Sequence, residues 1–159
     1  LVIREPHVGA RVVRLTRQEL SEIFTMREAL EGVAAREAAK NITEDELIDL
    51  GQLIESHARY VEVNNGESYM DQEGDYDFHY RIINASGNLR LIQLLCNELY
   101  HLIRIYRKSS TSEARPERAI IEHKMIFQAL QDRDGELAEL LMRKHIRRAG
   151  REIENTIES

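Results

Sequence analysis

Apolar residues recur at helical spacing from Leu15 to the end of the chain, and the polar punctuation between them divides that stretch into six predicted helices. Thr16, followed three residues later by Glu19, has the reciprocal capping pattern of a helix start. It opens a first helix over 17–40 with its stripe at Leu20, Ile23, Phe24, Leu30, Val33 and Ala34. Thr43 and Glu46 repeat the pattern and open a second over 44–64, with Leu47, Leu50, Ile54 and Val61 on one face. A third, over 68–85, stops at Ser86-Gly87, where glycine can take the left-handed conformation that ends a helix. Asn88 caps a fourth over 89–109, apolar nearly all round and therefore expected at the bundle centre or in a subunit interface. Pro116 suits the first turn of a fifth helix ending near Gln131, and Asp134 caps a sixth over 135–157. Short links make neighbouring helices antiparallel, so the expected fold is an all-α bundle. Before it, residues 1–14 carry β-branched pairs around Pro6 and Gly9, which predict two short strands and a turn.

Composition narrows the class. With 159 residues, one Cys, two Pro and eight Gly, the chain suits one well-buried domain and excludes disulfide scaffolds and Gly-rich disorder. No run approaches the roughly 20 apolar residues of a membrane span, and the lone Cys96 fits a reducing compartment, so a cytoplasmic protein without a membrane partner is expected. The net charge of −6 argues against this chain wrapping nucleic acid by itself. Residues 1–18 depart from that balance, with four arginines against one glutamate. The start at Leu1 suggests a piece of a longer protein.

The chemistry lies where polar residues interrupt apolar faces. Asp75 and His79 are four apart on the third helix, in line with Ile82 and Ile83. His123 shares a face with Ile120, Phe127 and Leu130, and His145 with Ala138, Leu141 and Ala149. Each unpaired burial would cost on the order of 1–3 kcal/mol, and more for an ionised carboxylate. One divalent metal held by three imidazoles and one carboxylate offsets the cost, and nitrogen with oxygen donors suits Zn, Ni, Fe or Mn. Hydrogen-bonded core histidines and an ordinary Asp75/His79 pair are the plainer alternatives. His57 also lies on an apolar stripe, so the pattern does not select its own members. Arg27 stands in the middle of the first helix's stripe, where it is either an i,i+4 partner of Glu31 or a clamp for an anion, and Arg104 is a weaker second candidate. There is no phosphate loop, no G-x-S-x-G, no H-E-x-x-H and no nucleophile with an adjacent base, so catalysis has little support.

Asp75-Tyr-Asp-Phe-His79, Ala85-Ser-Gly-Asn88, Glu122-His123 and Leu141-Met142 ahead of His145, together with Arg27-Glu-Ala-Leu-Glu31, resemble the C-terminal effector (FCD) domain of FadR-type regulators in the GntR family. Val8-Gly-Ala-Arg-Val12 resembles the end of the wing of a winged helix-turn-helix. The resemblance implies a dimeric antiparallel bundle of six or seven helices over residues 15–159, with residues 1–14 as the remnant of an upstream DNA-binding domain. It implies the metal ligands Asp75, His79, His123 and His145, leaves out His57 and His101, and makes Arg27 the anion-binding arginine. The expected function is a ligand-responsive transcriptional regulator that binds a small organic acid at a buried metal and contacts DNA through the missing domain. The alternatives are a metal-dependent hydrolase or other metalloenzyme, and a closed structural metal site.

Overall fold

The structure, a computed structural model, describes residues 2–5, 9–12, 16–63, 74–99 and 116–156. Strands β1 (Val2–Glu5) and β2 (Gly9–Val12) pair antiparallel, with Val2 opposite Val12 and Glu5 opposite Gly9. Both strands expected from the β-branched pairs are present with shifted bounds, and Leu1 and Val13 lie outside the described residues. Among the described residues, the elements after them are helices: α1 (Arg17–Asn41), α2 (Glu44–Val63), α3 (Gly74–Ala85), α4 (Leu89–Ile92) with a π-helical continuation (Gln93–Leu99), α5 (Pro116–Gln131) and α6 (Gly135–Thr156). The all-α architecture is as expected. The first turns expected of the third helix and the last turns of the fourth lie outside the described residues.

Local chemistry explains the starts and stops. The Thr16 hydroxyl accepts from the Glu19 amide while Glu19 accepts from the Thr16 amide at 2.7 Å, and Thr43 and Glu46 make the same reciprocal pair at the start of α2. Asn88 accepts from the amides of Arg90 and Leu91, and Asp134 from that of Leu137. Gly87 sits at φ 67°, a conformation that costs a residue with Cβ on the order of 1 kcal/mol. The α5–α6 turn solves the same problem differently. Arg133 takes φ 59° without being glycine, and its guanidinium donates to the carbonyls of Ala39 and Ile42 and meets Glu44, capping the end of α1.

One apolar cluster unites α1, α2, α3, α5 and α6 around Leu20, Phe24, Leu50, Ile54, Phe78, Ile82, Ile126, Leu130, Met142 and Ile146. Helices α1 and α6 run antiparallel in a clear register. Arg36 meets Glu139, Glu28 meets Arg143 and Arg147, and Phe24 lies against Gly150, where an added Cβ would stand 2.9 Å from the ring. Of the two places expected for helix α4, the bundle centre is not the one its described residues take, and its geometry is not that of a regular α-helix throughout. Leu91, Leu95 and Leu99 form a separate small cluster with Ala34 and Ile83 rather than the bundle centre, and the helix widens into π geometry from Gln93. Ile92, Leu94 and Cys96 are half-buried, and Leu89 is exposed. Among the described residues, no helix is long and apolar enough to cross a membrane.

Candidate metal centre

Three helices deliver one imidazole each to the same place. His79 on α3, His123 on α5 and His145 on α6 are 1%, 1% and 3% exposed, so their ring nitrogens need partners in the interior. Their candidate ligand atoms all lie within 4.8 Å of one another. The Nε2 atoms of His79 and His145 are 3.2 Å apart, and those of His123 and His145 3.4 Å. Phe78 stacks on His123 with ring centroids 3.9 Å apart and sets the plane of that ring.

The outer nitrogens of two rings meet carboxylates. Nδ1 of His79 lies 2.6 Å from Oε2 of Glu31, and Nδ1 of His145 2.7 Å from Oε2 of Glu122. Arginines hold both acids: Arg27 donates through Nε to Glu31, and Arg148 donates to both oxygens of Glu122 and also to Glu152. Burial alone would raise the Glu31 carboxyl, but the Arg27 guanidinium and His79 overcome it and hold it at about 2. At Glu122 burial acts upward as well, and hydrogen bonds from His145 and Arg148 bring the carboxyl down to about 2. Both acids are therefore ionised at neutral pH and present acceptors to the facing Nδ1 atoms.

The donor set fits a cation. Nitrogen ligands 2.0–2.1 Å from a tetrahedral zinc-like ion stand about 3.3–3.4 Å from each other, close to the two observed Nε2 separations. Neutral imidazoles backed by carboxylates are also the usual protein environment of such ions. His79, His123 and His145 could hold a metal, as their placement on three apolar faces led one to expect. The Asp75 backbone falls in α3 one turn before His79, and its side chain lies outside the described residues. Arg104 and His101 also lie outside them. His57 is buried on α2 but is not in the trio. Arg27 is 1% exposed and engages Glu31, so the plainer i,i+4 reading of that pair is realised.

Sequence reasoning missed Glu31 and Glu122 as partners of the histidines, and Arg148 altogether. A signal existed for Glu31, which falls on the buried side of α1 four residues after Arg27. None existed for Glu122, since it lies next to His123 in the chain yet reaches across to His145.

Comparison with known proteins agrees with this architecture. The FCD domain family matches residues 22–148. A probable D-xylose utilization operon transcriptional repressor of Paenarthrobacter nicotinovorans is 29% identical over 140 residues, covering 88% of this chain and 60% of that protein. The HTH-type transcriptional repressor RspR of Escherichia coli K12 is 26% identical over 146 residues, covering 92% and 63%. The chain thus spans about three fifths of the length of these relatives. Among solved structures, E. coli McbR/YncC superposes with a TM-score of 0.83 at 19% identity over 98% of this chain and 78% of that one. Streptococcus agalactiae GntR gives 0.72 at 19% identity, over 94% and 74%. With its helical bundle and the family match running from α1 through most of α6, the chain belongs to the FCD domain family.

Proposed function

We propose that this chain is the effector-binding domain of a transcriptional regulator that holds one divalent transition metal at His79, His123 and His145, with Asp75 as the fourth ligand, and takes a small organic acid there. The observation that carries the reading is the convergence of three buried Nε2 atoms from three helices. The relatives named as transcriptional repressors support the regulatory role. Zinc, nickel, iron and manganese all suit the donors. When bound, such a metal supplies a Lewis-acid position for an effector carboxylate.

The chain's own residues do the rest. Arg27 is the cation we assign to the acid's remaining charge, because its guanidinium is buried on α1 beside the Glu31 carboxylate that meets His79; Arg104 is the second candidate. Glu31 and Glu122 keep the imidazole rings in place. A ligand that favours one arrangement of α1, α3, α5 and α6 shifts the bundle toward it, and α1 passes the change to whatever precedes it. We assign the β1–β2 hairpin to the wing of a winged-helix DNA-binding domain. We place the protein in the cytoplasm as a homodimer.

The test is metal analysis of protein purified without chelator, expected to give about one transition metal per chain. His123→Ala combined with His145→Ala should abolish it, and retention by the double variant would refute the assignment. A metalloenzyme would turn over a candidate acid, whereas the regulator binds it stoichiometrically without product.

A further inference from the structure

We infer that Glu31 and Glu122 are positioning residues of the histidine centre: they hold His79 and His145 with Nδ1 outward and Nε2 inward, and through Glu31 the first helix, which supplies no imidazole, becomes part of the centre. The metal-binding half of this inference rests on the function proposed above; the orientation half does not.

The geometry is the same at both positions. Each carboxylate meets an imidazole Nδ1 at 2.6–2.7 Å through one oxygen, and an arginine fixes the carboxylate. A carboxylate held at Nδ1 by an arginine favours the Nδ1–H form of the ring, which leaves Nε2 as a lone-pair donor directed at the shared space. His123 is oriented by other means, its ring lying flat on Phe78.

The two carboxylates differ in what they connect. Glu31 and Arg27 sit on the same helix, so the pair travels with α1 and reaches the centre through the hydrogen bond from His79 of α3. Glu122 is on α5 while His145 and Arg148 are both on α6, so this carboxylate closes α5 against α6 one turn from the ring it orients. A shift of α1 that stretches the Glu31–His79 bond therefore loosens one imidazole without touching the other two.

The test uses the full chain in metal-free and zinc-loaded forms. Glu122 is 22% exposed and suits removal, so Glu122→Met is the deleting variant and Glu122→Gln, which restores a neutral acceptor, the conservative one. Glu31 is fully buried, so Glu31→Gln is used there to keep the chain folded. Two-bond 1H–15N spectra of the histidine rings in the metal-free chain should show His79 and His145 as Nδ1–H tautomers. Glu122→Met should move His145 alone toward the Nε2–H form, and Glu122→Gln should restore it in part. Zinc affinity, read by competition with a chromophoric chelator, should fall about 10–100-fold in Glu122→Met and Glu31→Gln. A proton on Nε2 of His145 in the unaltered chain, or variants with unchanged ring spectra and zinc affinity, would overturn the inference. An unaltered chain that binds no zinc, nickel, iron or manganese would sink the proposed function and the metal-binding half with it, while the ring spectra still decide the orientation.

Discussion

Phe78 and His79 are neighbours in the chain, both essentially buried, and they enter two interiors of opposite character. Phe78 joins Leu50, Ile82, Ile126 and Leu130 in a region held by close packing, where each side chain contributes in proportion to the apolar surface it covers. His79 joins His123 and His145 beside Glu31 and Arg27, where burial is tolerable only because each group has its partner. The difference lies in how each region fails. An apolar region loses stability by degrees, whereas removing one member of a buried ionic set strands the charge of the next.

The sharpest way to break this contrast is Glu31→Ala, which leaves Arg27 and His79 without their shared carboxylate. It should cost about 3–5 kcal/mol in urea or thermal unfolding. Replacing Arg27 and Glu31 together by methionine should recover much of that loss, and a double variant as unstable as the single would show that charge stranding is not the cause. In the apolar region, Leu130→Ala should cost about 3 kcal/mol by leaving a cavity, while zinc affinity of the folded protein stays unchanged. A parallel loss of affinity would erase the distinction between the regions. Thr16→Ala removes a local cap remote from both regions and should cost about 1 kcal/mol.

The smallest effect expected is pH-dependent. The Arg147 hydrogen bond pulls the Glu28 carboxyl below its ordinary 4.5; slight burial opposes this, and the charges of Arg147 and Arg143 add to the pull. A carboxyl whose folded value lies below its unfolded one stabilises the fold above pH 4.5 and loses that contribution as pH falls through the lower value. Arg147 is half exposed, so screening limits the gain to about 0.2–1 kcal/mol. Glu28→Gln should flatten stability against pH on the acid side, and raised salt should have a similar effect.

What could be read from the sequence follows the range of the interactions involved. Both Thr/Glu capping pairs, the Asn88 and Asp134 caps and the glycine stop at Gly87 are set within a few residues, and each is found where the pattern put it. The histidine trio was legible because three interruptions of apolar faces had to be satisfied together. Periodicity is blind to partners brought in from other helices, so Glu31 on His79 and Glu122 on His145 stayed hidden. It was equally blind to the π geometry of Gln93–Leu99, since leucines every four residues at 91, 95 and 99 suit a regular helix about as well. The left-handed Arg133 escaped notice because its compensation comes from carbonyls more than ninety residues away in the chain.

The antiparallel seam between α1 and α6 limits how α1 can move. Phe24 fills the space that the missing Cβ of Gly150 leaves, and further along the same line Glu28 is tied to Arg147 and Arg36 to Glu139. Sliding α1 along its axis would force the phenyl ring out of that notch and break both ion pairs at once. Rolling or tilting about the seam keeps all three contacts and swings the opposite flank of the helix, so the first helix is built as a lever rather than a piston.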